Sequence, residues 1–196
     1  DSLDQMESAA LTIQNATTQH ARLIAIPDKD KYAMGQIIAK AGKVVEETIT
    51  SANALSAYDD AEQYMTDIEC TMPLVMFATS DYYKALKNAD GVSKTFTTNE
   101  MSVNGINRKV AQIDGGIPIL KVAKARIQVD PDTKVNFVLL PLEAVSAIEK
   151  YNTVDLVPAA QDRDGYRDTV KGLGYYDAIV LENAEKVIYL SKSPKA

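Results

Sequence analysis

The apolar positions of this chain change their period part-way along it. In the first 25 residues, Leu3, Met6, Ala10, Ile13, Thr17, His20 and Ile24 recur at alternating steps of three and four. That is the stripe of an amphipathic helix about six turns long at ~3.6 residues per turn. Ser2 and Gln5 have the spacing of a capping box and mark its start. A helix with so narrow an apolar face must lie along something else, in its own domain or in a neighbouring chain. Ile26-Pro27 predicts its end, because proline removes a backbone donor and biases the preceding residue away from helix. A second helix is predicted over 28–41, with Asp28 and Asp30 at its favourable N-terminal end and Gly42 as the stop. The β-branched stretch 43–50 reads as a strand or a connection. A third helix is predicted over 52–68, with Leu55, Tyr58, Ala61, Met65 and Ile68 on one face and Asp59, Asp60 and Glu62 opposite.

From Met72 the pattern shortens. Residues 74–78 (LVMFA) form a continuous apolar run, the mark of a strand buried on both faces. Ser80 reads as the cap of a short helix reaching Lys87, and the polar stretch 92–104 as an exposed loop. Runs at 108–113 and 117–122 flank Asp114-Gly115-Gly116 and predict a hairpin. After a turn at 130–133, residues 135–140 (VNFVLL) predict another buried strand and 142–151 an amphipathic helix. Strands are predicted at 166–171, 175–181 and 186–190. Helices come first, then short strands mixed with helices. The expected class is α+β with mainly antiparallel pairing, not a regular βαβ series. There is no internal repeat or low-complexity segment.

The bulk properties narrow the choices. A chain of 196 residues, 46% hydrophobic and 24% charged, can bury a sizeable core. Its net charge of −6, without a dense Lys/Arg run, argues against general nucleic-acid binding. No apolar run approaches the roughly 20 residues of a membrane span, and no secretory signal is visible. The single Cys70 excludes a disulfide within this sequence and suits a reducing compartment. A start at Asp1 instead of Met is expected of a processed or trimmed product.

The candidate chemistry is thin. His20, the only histidine, falls on the apolar stripe and reads as a packed or interface residue. Any Ser-His-Asp, Cys-His or zinc arrangement would have to use it, and neither a nucleophile elbow nor a metal-type spacing is present. The acidic pairs Asp28/Asp30, Asp59/Asp60 and Asp162/Asp164 read as helix-end charge, a solvated face and a polar loop, since a hard cation needs about six converging oxygens. Gly172-Leu173-Gly174 lacks the third glycine of a dinucleotide loop and reads as a strand that bends or bulges. Tyr175, Tyr176 and Tyr189 read as cross-strand packing. The expectation is a protein without catalytic activity, cofactor or metal.

A series of phrases in fixed order carries more information than any one of them. They are 26–32 (IPDKDKY), 77–87 (FATSDYYKALK), 114–122 (DGGIPILKV) and 135–145 (VNFVLLPLEAV), then 166–168, 175–178 and 188–190. In these the chain resembles the major capsid proteins of tailed bacteriophages, with the Hong Kong ninety-seven-type shell fold. It departs from them at Leu140, where related sequences often carry His before the proline, at Ser191, where they often end in His, and at Val122-Ala123, where they often read Val-Pro.

The resemblance implies a P-domain-like part over 1–50 that includes a long spine helix, an A-domain-like part over 51–160, and C-terminal strands over 161–196 returning toward the P-domain. It implies a coat protein that self-assembles through copies of itself, as pentamers and hexamers, into an icosahedral head shell of a phage or prophage. Portal or scaffold proteins would be further partners, and neither specific nucleic-acid binding nor a membrane is implied. Assembly would take place in the cytoplasm of the bacterial host, and the destination would be the virion. Each repeated contact would bury about 1,000–2,000 Å². The family's N-terminal arm and extended loop have no counterpart here, so this chain alone is expected to be mainly monomeric. Met6, Ile13 and His20 are the expected interface residues, and the 92–104 loop is expected near a capsomer axis. An encapsulin-like compartment shell is the rival of the same fold; a small cytosolic α+β enzyme or ligand-binding module is the rival of a different class.

Overall fold

The helix that Pro27 was expected to end runs straight through it. In a computed structural model, which describes residues 15, 17–89, 97–103, 106–112, 117–128, 134–157, 161 and 169–194, a π-helical segment, Ala21–Ala25, leads into α1, Ile26–Ala39. The Ile26 N–H bonds back five residues to the Ala21 carbonyl, and Pro27 stands in the first turn of α1. The wider π turn makes room for a ring that would otherwise meet the Leu23 carbonyl, four residues back. The stripe residues before position 15 lie outside the described residues.

After α1 comes β1, Lys43–Glu46. Asn53 then ties the following turn together: its Oδ1 accepts from the Thr50 N–H at 2.7 Å, and its Nδ2 donates to the Thr48 carbonyl at 2.9 Å. Helix α2, Ala54–Asp67, buries Ala54, Ala57, Tyr58, Ala61 and Met65 at steps of three and four. It ends in a left-handed turn, Glu69 at φ 56°, with the Cys70 N–H on the Met65 carbonyl. Strand β2, Leu74–Thr79, is followed at once by α3, Ser80–Lys87. The cap is Thr79, whose hydroxyl accepts from the Tyr82 N–H, and not the expected Ser80.

The expected exposed loop at 92–104 contains a strand, β3, Thr97–Val103, paired with β4, Ile106–Gln112. Strand β5, Pro118–Val122, completes the expected hairpin with β4. A four-residue helix, α4, Lys124–Ile127, precedes β6, Lys134–Pro141. The expected helix over 142–151 is instead a 3-10 turn, Leu142–Ala144, opening into β7, Val145–Val157. The two strands expected at 166–171 and 175–181 are described as one, β8, Thr169–Val180. A second 3-10 segment, Glu182–Val187, leads to β9, Tyr189–Ser193.

Seven strands form one sheet in the order β1-β9-β6-β2-β5-β4-β3, and β7 and β8 form a separate two-stranded ribbon. Pairing is antiparallel except for β1 with β9 and β2 with β5, so the class is α+β with a mixed, mainly antiparallel sheet.

Alternation along the central strands sends side chains to two cores. Met76, Ala78, Phe137, Leu139 and Tyr189 meet α2 and α3 on one face. Val75, Phe77, Val138, Leu140 and Leu190 meet Met34 and Ile37 of α1 and Ile127 of α4 on the other. That double burial is why β2 and β6 read as unbroken apolar runs.

Between Val135 and Phe137 the β6–β9 register shifts, and the extra residue is the buried Asn136. Its Nδ2 donates to the Glu47 carbonyl and to the Ser191 Oγ, both at 3.1 Å, and its Oδ1 accepts from the Ser193 hydroxyl. Three segments are thus tied at one bulge, with every buried polar side chain described there satisfied.

Two phenols on the α2/α3 face tie stability to alkaline pH. Burial raises Tyr82 above its ordinary value of 10.0, and burial with the nearby Glu47 carboxylate pushes Tyr189 up to about 12. Both groups favour the neutral form in the folded state, so their contribution to stability is complete below pH 10, the unfolded value, and lost as pH rises towards 12. Urea unfolding across that window is expected to show stability falling with pH, and Tyr82→Phe to make the fall shallower. A Tyr82→Phe curve parallel to the parent would count against it.

Candidate subunit-contact surface

Where β7 and β8 leave the core, Val145 pairs with Val180 and Ala147 with Ala178, and Ala178 and Val180 are buried. Helix α1 lies beside the next pairs. Lys29 forms an ion pair with Glu149 and stands 5.6 Å from the centre of the Tyr176 ring. The Tyr32 hydroxyl donates to Asp177 Oδ1 at 3.0 Å, and its ring meets Tyr176 edge-on, 5.6 Å between centroids at 80°. That hydrogen bond to a carboxylate is the main reason the Tyr32 phenol lies above its ordinary value. A cleft of about 350 Å³ remains between α1 and the ribbon, lined by these groups. The groups are partly or largely exposed, so the ion pair serves to orient more than to stabilise.

Past Glu149 the ribbon register shifts, with Lys150 as the extra residue. Beyond it Tyr151 pairs with Tyr175 and Thr153 with Leu173. Tyr151, Leu173 and Tyr175 are 51%, 63% and 60% exposed, an apolar group on one face of a thin ribbon. Gly174, paired with Asn152, has open space where a Cβ would stand. The bend or bulge expected at Gly172-Leu173-Gly174 is not there: these residues pair in regular register, and the shift falls at Lys150 of β7. A second exposed apolar group, Leu23 at 73% and Ile24 at 51%, stands on the π-helical segment.

Of the residues expected at interfaces, His20 is helical and exposed at the start of that segment, and Met6 and Ile13 lie outside the described residues. Asp30 is engaged by Arg126 at 2.6 Å. Asp28, Asp59 and Asp60 are exposed, and Asp162 and Asp164 lie outside the described residues. Among the described residues no group of three or more His, Cys, Asp or Glu side chains converges, and no helix is long and apolar enough to cross a membrane. Tyr189 stacks on Phe137 of the neighbouring strand, the cross-strand packing expected of it; Tyr176 packs instead on Tyr32 of α1, and Tyr175, opposite Tyr151, is largely exposed. The sequence hides the ribbon because Leu142, Val145, Ile148 and Tyr151 recur every three residues, a helical spacing, and only the pairing with β8 makes the segment a strand.

No protein-family model and no curated protein matches the sequence. Among solved structures, a chain of Mycobacterium phage Che8 superposes on 90% of this one with a TM-score of 0.66 at 14% identity. The fold is shared with a phage structure. A virus-like particle from Pyrococcus furiosus matches 86% of the chain with a TM-score of 0.49 at 10% identity. The present chain spans 62% of the length of the phage chain and 63% of the particle chain.

Proposed function

We propose that this chain is the fold-bearing part of a shell subunit, the major capsid protein of a tailed phage or prophage, without catalytic activity. The observation that carries the reading is the fold in common with the Che8 chain over 90% of this sequence. The ordered phrases from 26–32 to 188–190 support it from the sequence side. The exposed ribbon face, Tyr151, Leu173 and Tyr175, is the kind of surface that repeated contact between copies covers. On this reading the partners are copies of the same chain, the place of assembly is the host cytoplasm, and the destination is the virion.

Electron microscopy of the full-length gene product tests it. Closed shells are expected, and their absence under conditions where the protein is folded overturns the reading. Leu173→Asp with Tyr175→Asp is expected to leave the circular dichroism spectrum unchanged and to abolish shells. Shells formed by that double variant as readily as by the parent would remove the ribbon from the contact. A neighbouring terminase or portal gene, in place of a cargo-enzyme gene, separates a phage head from an encapsulin-like compartment.

A further inference from the structure

Among the described residues, the contacts between the β7–β8 ribbon and other elements gather near its base. At its base Ala178 and Val180 are buried, and the Leu181 N–H bonds to the Ala144 carbonyl at 3.3 Å. The next pairs are braced from the side by Lys29 on Glu149 and by Tyr32 on Tyr176 and Asp177. Among the described residues this brace reaches as far as Glu149 and Tyr176, the last pair before the bulge, and Lys150 then stands opposite no residue of β8. From Tyr151↔Tyr175 to Val157↔Thr169 the ladder resumes for seven pairs. Over that half, residues 171–175 and Tyr151, Thr153 and Asp155 are all exposed.

Three physical facts bear on that arrangement. A two-stranded antiparallel ribbon without a packed face is marginal in water. A bulge interrupts the ladder and bends its strand. Segments with few buried contacts open at a small fraction of the global unfolding free energy. Bracing therefore changes abruptly where the ladder is already broken, and both changes fall on one residue. We propose that the Lys150 bulge is a pivot, about which the distal ribbon swings and opens as a unit while Lys29 and Tyr32 clamp the base. The pivot stands independently of the shell reading. Where that reading also holds, the pivot lets one apolar face meet neighbouring copies at different angles.

Amide hydrogen exchange on this chain in solution is the test, and it needs no assembly. Hydrogen-bonded amides at 151–157 and 169–175 are expected to exchange at least ~100-fold faster than those at 145–149 and 177–180. Deleting Lys150, which restores a regular ladder, is expected to slow the distal amides by at least ~10-fold. Tyr32→Phe with Glu149→Gln is expected to speed the basal amides and leave those of β6 unchanged. Uniform protection along the parent ribbon, or a boundary that the deletion does not move, overturns the proposal. If the deletion variant fails to fold, label-to-label distances in a Cys70→Ser background replace it, from Asp59→Cys to either Lys171→Cys or Ile179→Cys. A broad distribution to position 171 beside a narrow one to 179 supports the pivot, and two equally narrow distributions overturn it.

Discussion

Phe137→Ala is expected to lower the free energy of unfolding by about 3–5 kcal/mol. Phe137 is fully buried at the centre of β6, between Tyr82 on α3, 4.5 Å between ring centroids, and Tyr189 on β9, stacked at 6.0 Å. Truncation removes the ring that three elements share and leaves a cavity whose walls cannot close. Tyr82 is held by its hydroxyl on the Ala54 carbonyl at 3.0 Å, and Tyr189 by the ladder to β6 and β1. Phe137→Leu keeps most of the volume and is expected to cost about 1–2 kcal/mol, the lower end of core substitutions. Urea denaturation followed by circular dichroism measures both. A loss below about 1 kcal/mol for the alanine variant would show that the two tyrosines close the gap.

Gly42→Ala is the second large effect, and it acts through backbone. A Cβ on Gly42 would stand 2.5 Å from the Glu185 carbonyl oxygen and 2.9 Å from the Lys186 Cα. Neither atom can rotate away. The Gly42 N–H donates to that same carbonyl at 3.0 Å, and the Lys43 N–H donates to the Ile188 carbonyl at 3.2 Å, so the methyl group pushes apart the two segments that seat β1 against β9. A destabilisation of about 1–3 kcal/mol is expected. Local opening of Lys43–Glu46 should exceed it, read as faster exchange of those amides than of β6. Lys40→Ala, which removes the exposed Lys40–Glu185 ion pair at 2.8 Å, serves as the control and should change stability little. Equal stability of the Gly42→Ala and parent chains would mean that the 182–187 segment yields without cost.

The position of Gly42 in the sequence suggested a helix stop, which is a local role. The structure gives it a contact 143 residues away, a role that no local pattern contains. Asn136 shows the same limit: in VNFVLL it looks like a lone polar residue in an apolar strand. Only the arrival of Glu47, Ser191 and Ser193 makes it the tie of a bulge. Pro27 fails in the opposite direction. Its ring forbids a regular α-turn, and a π segment supplies an irregular one.

The elements whose faces are set by their own period were legible from the sequence. The predicted stripe of α2 shares Tyr58, Ala61 and Met65 with the buried face, while Ala54 and Ala57 take the deep positions expected of the half-buried Leu55 and Ile68. The apolar runs of β2 and β6 were expected to be strands covered on both sides, and they are. The α+β class follows from those elements. Tertiary structure alone decided the fate of 142–151, because Val145, Ile148 and Tyr151 have the spacing of a helix stripe. Pairing with β8, reaching from Val145↔Val180 to Val157↔Thr169, made them a strand. The candidate contact surface depends on that choice. As a helix, Tyr151 would have lain on an apolar stripe facing the core. As a ribbon strand it stands beside Tyr175 in solvent, because a two-stranded ribbon has no layer of its own to bury what its outer face carries.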